Sequence, residues 1–271
     1  MKREAALRQR LRSLEILGEA VGAMKSLSAH HFREARSAVA AARAYREGVE
    51  RIAKEARASI PAGSGGSGLL VIGGEFGLCG SYNAELVAAA DKRRSELGAG
   101  PTLVVGHRAA LLLGRRGAAA LRVYATPTSS HAITDLLLPL AEDVLSTYAA
   151  ENLSSFEILS CPFGGVGVHR PVLVRLLPLA TPESESTKAA RYVAPEDLAR
   201  AAAREFLYIV LYDLLLDAIA SEHSARLSAT DAAEKWLGER ADRLRQHIAA
   251  ARREAGTQEV IEIAMGARAR G

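Results

Sequence analysis

Between Leu7 and about Arg57, apolar residues return every three or four positions: Leu7, Leu11, Leu14, Leu17, Val21 and Met24, then Phe32, Ala35, Val39, Ala42, Val49 and Ile52, with no proline among them. Side chains three and four apart share one face of an α-helix, so the spacing predicts one long amphipathic helix with an a/d seam. Unbroken, it would run about 75 Å at ~1.5 Å per residue, against ~11–12 residues for an average globular helix. A helix of that length cannot cover its own stripe and needs a partner alongside. The alanine-rich stretch from Ala38 to Ala44 lets a neighbouring backbone come close. Ser59-Ile60-Pro61 and the glycine-rich stretch 63–68 stop any continuation.

A second seam opens at Pro195-Glu196-Asp197, where proline at the first helical position and acids in the first turn favour a helix start. It continues through Phe206, Ile209, Val210, Leu214, Ile219, Leu227, Trp236, Leu237, Leu244, Ile248, Val260 and Ile263 to about Arg268. Two uncovered seams at opposite ends of one chain pair most simply as an antiparallel coiled coil.

Between them the texture changes. Leu69–Ile72, Thr102–Val105 and Leu121–Tyr124 are expected strands, separated by helical stretches at Tyr82–Leu97 and His107–Leu113 and followed by one at Ala132–Ala150. Alternation at that spacing predicts a parallel, Rossmann-like sheet with helices on its faces. Two further strands, at about Phe156–Ser160 and Pro171–Leu177, have too short a connection for a crossover and form a hairpin. Residues 180–194, rich in Thr, Pro, Glu and Ser, are expected to be a loop. The fold class is therefore α/β: an N-terminal coiled-coil helix over residues 1–58, an α/β domain over 69–179, and a C-terminal coiled-coil helix over 195–271.

Composition narrows the class. Only 5% of residues are aromatic, which argues against a sandwich or barrel. Cys79 and Cys161 match neither zinc-ligand spacing nor a disulfide framework. No stretch approaches the ~18–20 apolar residues of a membrane span, and the charged start Met1-Lys2-Arg3-Glu4 lacks the apolar region of a secretory signal, so a cytosolic chain is expected. The net charge of +4 names no partner, because Lys and Arg alternate with Glu.

Individual sites are weak. Gly73-Gly74-Glu75-Phe76-Gly77-Leu78-Cys79-Gly80 follows a strand and opens a helix, as phosphate-cradling loops do, but its spacing is neither fingerprint, no Lys-Ser/Thr follows, and Glu75 would repel a phosphate. Cys79 has no identifiable base and is expected to be structural. Ser221-Glu222-His223 holds triad residue types, yet successive helix positions point ~100° apart and cannot form a relay. His30 and His31 are adjacent instead of four apart, so no metal is expected from that pair on one helix face.

Three blocks together resemble the γ subunit of the F-type ATP synthase, with departures that mark a divergent member or paralogue. Leu11-Arg12-Ser13 followed by Ala23-Met24-Lys25 and Arg33-Glu34-Ala35 resembles the family's early Arg-x-Ser, Lys-Ala-Met and basic steps. Gly77-Leu78-Cys79-Gly80 with Asn83 is similar to its Arg-Gly-Leu-Cys-Gly-Gly-x-Asn. Ser221-Glu222-His223-Ser224-Ala225-Arg226 with Asp231-Ala232-Ala233, then Arg252 and Thr257-Gln258-Glu259-Val260-Ile261-Glu262-Ile263, resembles the C-terminal signature. The departures are Glu19, Ala20 and Val21 for Lys-Ile-Thr, Phe76 for the Arg, Ser81 for the second Gly, Ala249-Ala250-Ala251-Arg252-Arg253 for Asn-Arg-x-Arg-Gln, and Gly256 for an Ile.

The resemblance implies a rotor shaft that catalyses nothing and carries neither cofactor nor metal. Its partners would be the α and β subunits of the head, the ε subunit and the membrane c ring, with no nucleic acid. It would sit peripherally at the cytoplasmic face of the inner (plasma) membrane. Residues at matching positions, Met24, Lys25, Gly77, Leu78, Cys79, Gly80, Glu222, His223, Arg226, Arg252, Thr257, Gln258 and Glu259, would meet the surrounding subunits. Two other classes stay open on the residues alone. A nucleic-acid-binding coiled coil is one, since Met1–Arg57 carries 13 Lys and Arg against 7 Glu. An α/β enzyme with helical arms is the other.

Overall fold

A computed structural model describes residues 2–98, 100–179 and 193–268; all but the last two residues of the expected loop at 180–194 lie outside them. The elements follow in the order α1 (Lys2–Glu55), β1 (Gly65–Ile72), α2 (Tyr82–Leu97), β2 (Thr102–Val105), α3 (His107–Gly114), β3 (Arg122–Tyr124), α4 (Ser130–Ala150), β4 (Leu153–Ser160), β5 (Val172–Leu177) and α5 (Pro195–Arg268). α1 has 54 residues and α5 has 74. None is long and apolar enough to cross a membrane among the described residues.

Helix α1 stops earlier than the Pro61 and glycine signals imply. Arg57 takes a left-handed conformation (φ 54°), and the Ala58 N–H donates to the Ala53 carbonyl at 2.9 Å, which closes the last turn with the carbonyl otherwise orphaned. The glycine stretch is not a linker. Gly65, Ser67 and Gly68 already pair with Leu153, Ser155 and Phe156, so both β1 and β4 begin before their apolar runs. Gly68 is needed there because a Cβ would lie 2.6 Å from the Phe156 ring.

The chain divides into two compact units, residues 1–27 with 229–271 and residues 28–228. The larger holds a five-stranded sheet ordered β3-β2-β1-β4-β5, parallel except for β5, which runs antiparallel to β4 as the hairpin expectation required. Strand alternation sorts side chains between two cores. Leu70, Ile72, Leu103, Val105, Phe156 and Ile158 face α4 and the α1 and α5 segments of this unit. Leu69, Val71, Val104 and Leu159 face α2 and α3. Burial on both faces explains why these strands are continuous apolar runs instead of alternating ones. Glu157 is the exception. It faces α2, where Arg93 grips it through two bonds of 2.7 and 2.8 Å.

In the smaller unit α1 and α5 run antiparallel. Partners fall in number along α5 as they rise along α1: Glu4 with Arg252 at 2.8 Å, Glu15 with Arg245 at 2.9 Å, Lys25 with Asp231 and Glu234 at 2.9 and 2.6 Å. Val21, Leu237, Ala241, Leu244 and Ile248 are buried in that seam. The same order holds in the larger unit, where Arg43 and Arg46 reach Asp217 and Asp213.

Candidate functional site

Strand order reverses between β1 and β4, and the crevice beyond the carboxyl ends of such strands is where open α/β sheets take ligands. Here the chain's own α5 fills that place. Arg226 and Glu222, one turn apart and both almost wholly buried, pair with each other. Arg226 Nε also donates to the Gly77 carbonyl at 3.2 Å, and its Nη1 lies 3.2 Å from His223 Nδ1. Glu222 accepts backbone N–H groups from Phe76 and Glu75. Gly74 sits so close that a Cβ would meet Glu222 Oε1 at 2.8 Å. A phosphate in this loop would need the space and the amides that the Glu222 carboxylate already holds.

The loop is braced from inside as well. Asn83 Oδ1 accepts from the Gly74 N–H at 2.8 Å, while Asn83 Nδ2 donates to the Phe76 carbonyl at 3.3 Å and faces Cys79 Sγ at 3.3 Å. Glu75, expected to repel a phosphate, instead supports the fold. It accepts the N–H groups of Thr126 (2.9 Å) and His107 (3.2 Å) and touches the His107 ring at 2.7 Å, so it caps α3. Burial pushes the Glu75 carboxyl up, but these bonds outweigh it and hold it below the usual carboxylate range. Burial raises the Cys79 thiol, and the nearby Glu222 charge raises it further, which disfavours the thiolate a nucleophile needs. Burial also raises Glu222 above its ordinary value despite Arg226. At the tip, Leu78 is held at φ 58° and projects outward, as Phe76 does, at 51% and 57% exposure. The loop thus offers two apolar side chains while its polar backbone is engaged by α5.

The other residues singled out from the sequence lie in the paired helices of the smaller unit. Met24 is half-buried, and Lys25 is raised in pKa by Glu234 and Asp231, which clamp it. Arg252 holds Glu4. Thr257 Oγ1 donates to the Arg253 carbonyl at 2.9 Å, and Gln258 Nε2 reaches Glu262 at 3.4 Å. Glu259 is exposed, as are its neighbours Val260, Ile261, Ile263 and Met265. Gly77, Cys79, Gly80, Glu222, His223 and Arg226 therefore come together in the larger unit, whereas Met24, Lys25, Arg252 and Thr257–Glu259 belong to the smaller one.

Several participants escape sequence reasoning. Tyr82 is fully buried and its hydroxyl donates to the Ala218 carbonyl at 3.4 Å; Ser224 Oγ accepts from the Gly167 N–H at 3.1 Å and ties the β4–β5 connection to α5. Only the positions of Tyr82 and Ser224 inside family blocks hint at this. Beside His30 and His31, Glu34 brings a third potential ligand one turn on, so that one ligand atom from each lies within 4.8 Å of the others. The His223 ring packs on His31 at 5.1 Å, and its pKa is pushed down to about 3 by burial, then by the Arg226 and His31 charges.

A family model described as ATP synthase matches residues 4–269. The chain is 30% identical to the ATP synthase gamma chain of Pelotomaculum thermopropionicum, covering 97% of both chains, and 29% identical to that of Moorella thermoacetica, covering 96% of both. Among solved structures it resembles a chain of the Euglena gracilis mitochondrial ATP synthase in rotational state 3, with a TM-score of 0.69 at 14% identity over 99% of this chain and 94% of that one. A chain from the Tetrahymena thermophila mitochondrial ATP synthase central stalk and c ring gives a TM-score of 0.62 at 18% identity, over 79% and 99%. Agreement along nearly the whole length, on the same order of helix, sheet and helix, leads to one assignment: the chain belongs to the ATP synthase γ-chain family.

Proposed function

We propose that this γ chain is the central rotor shaft of an F-type ATP synthase and transmits rotation from a membrane c ring to the catalytic β subunits without doing chemistry itself. The observation that carries the reading is apolar exposure on paired helices. In the smaller unit Ile16, Leu17, Leu27 and Trp236 are each at least half exposed, although the seam between the helices is already filled there, and Val260, Ile263 and Met265 are as exposed on the part of α5 past Arg252, which pairs with Glu4 near the start of α1. Exposed apolar side chains in that number mark a surface that another protein covers. A ring of α and β subunits fits, since an enclosing sleeve reaches a helix pair from all sides.

Coupling then follows from differential contact. An asymmetric shaft touches three β subunits in three ways, and each orientation stabilises one as open or closed only by as much as its contacts differ between those states. Met24, Lys25, Arg252 and Thr257–Glu259 are the proposed contacts with α and β. The exposed Leu78 at the tip of the Gly77–Gly80 loop, and Glu222, His223 and Arg226 behind it, make up a second region, with Glu222 and Arg226 acting by fixing the loop's shape. The α/β domain, residues 69–179, is the foot that meets ε and the c ring, and the chain is peripheral at the cytoplasmic face of the plasma membrane. Its test is single-molecule rotation: with α and β subunits immobilised and a bead on the α/β domain, ATP should drive unidirectional turning. A bead that only fluctuates on an assembled, ATP-hydrolysing complex contradicts the proposal.

A further inference from the structure

On α1 in the larger unit, His30, His31 and Glu34 converge. Each offers one ligand atom, and all three atoms lie within 4.8 Å of one another. Glu34 sits four residues after His30 and three after His31, the two spacings that bring helix side chains onto a common patch. The two rings stand edge to face, with centroids 5.4 Å apart at 64°.

His31 supplies the second observation. Its Nδ1 is buried, has no hydrogen-bond partner among the described residues, and lies 3.7 Å from Glu34 Oε2, within ion-pair distance but beyond hydrogen-bond reach. Buried polar atoms are nearly always partnered, so such a nitrogen points to something that binds there. The His223 ring packs beside that of His31 with centroids 5.1 Å apart, while its own Nδ1 is turned to Arg226.

We propose that His30, His31 and Glu34 form a binding site for a divalent transition ion of the zinc class, with water in the remaining position. Two imidazole nitrogens and one carboxylate oxygen suit zinc and its neighbours and are a poor set for magnesium or calcium, which take oxygen. Tetrahedral bonds of ~2.0–2.1 Å need ligand atoms about 3.3 Å apart, so the three side chains must close by roughly 1–1.5 Å, a distance that side-chain rotation supplies. His30 is exposed and gives the ion a way in. The site is independent of the rotor reading, because it rests on residues within one turn of α1.

The test is calorimetric titration of the tag-free full-length chain with zinc chloride. One ion per chain is expected. Affinity should fall in His30→Ala and in Glu34→Gln by at least the ~10- to 100-fold that loss of even an outer-shell partner costs. His247→Ala, an exposed histidine in the smaller unit, should bind as the parent does. Because His30 is exposed, its variant keeps the helix, which circular dichroism checks. No zinc uptake by the parent overturns the proposal, as does equal binding by all three variants.

Discussion

Replacing Arg226 with Met should unlock the loop between β1 and α2. The Arg226 and Glu222 side chains are only 3% and 4% exposed, so truncation leaves the Glu222 carboxylate and the Gly77 carbonyl buried without their cationic partner. Breaking a buried pair in this way costs about 3–5 kcal/mol, because an uncompensated charge remains. At ~2–4 °C per kcal/mol for a unit of this size, the melting temperature should fall by roughly 6–20 °C. The loss should also depend on pH with a defined sign. Burial already raises Glu222, so the unfolded chain releases this proton first, and stability is lost as pH rises from the unfolded value of ~4.3 toward the higher folded one. Arg226→Met raises the folded value further, so its penalty should be small near pH 4 and larger at pH 7. Hydrogen exchange at the Gly77 and Gly80 amides, read beside the melting curve, localises the effect. Adding Glu222→Gln should restore part of the stability, since a double variant removes the stranded charge. A melting temperature unchanged at pH 7, with exchange in the loop also unchanged, refutes the clamp.

Three other outcomes are expected. Gly106→Ala should cost several kcal/mol in denaturant titration, because φ is 102° there and a Cβ would lie 2.6 Å from the Gly73 carbonyl oxygen; wild-type stability would show that the β2–α3 turn relaxes freely. His223, with its pKa near 3, excludes a proton that the unfolded chain takes up below ~6.5, so its contribution is complete above ~6.5 and is lost as pH falls toward 3. Between pH 6.5 and 5 the parent should lose about 1.6 kcal/mol more than His223→Gln, since the slope reaches ~1.4 kcal/mol per pH unit only once the unfolded imidazole is mostly protonated, and parallel stability profiles would contradict this. Leu244→Asp should separate the paired helices of the smaller unit at a cost of several kcal/mol, seen as lost helicity; intact helicity and melting would place Leu244 outside the seam.

The long helices are legible in the sequence because their signal is periodic and local: Val21, Leu237, Leu244 and Ile248 lie where the three-and-four spacing puts them. Leu17, Ile52, Trp236, Val260 and Ile263, assigned to the same seams by spacing, are instead exposed, because spacing alone does not say which of two neighbouring apolar stripes meets the partner or where the partner helix ends. The central strands are legible as apolar runs for a related reason, burial on both faces. Element ends are not, since Arg57 terminates α1 by a backbone conformation that no residue type announces, and Gly65 and Gly68 belong to β1 only because β4 and Phe156 lie beside them. The site is legible as blocks of residues but not as an arrangement. Glu222 and Arg226 are an ordinary helix pair until α5 is set against a loop some 150 positions earlier in the chain, and spacing along one helix carries no trace of that distance. The His30–Glu34 cluster escapes a spacing rule applied to histidines alone, because its third member is a carboxylate one turn on.

The central claim is that this chain stands singly within a larger head. Native mass spectrometry of the complex purified through a tag on this chain tests it most directly. The rotor account predicts one assembly with three α, three β and one copy of this chain, from which Leu244→Asp is lost. A tagged chain recovered alone, or with any partner at one-to-one stoichiometry and no α and β subunits, would contradict it.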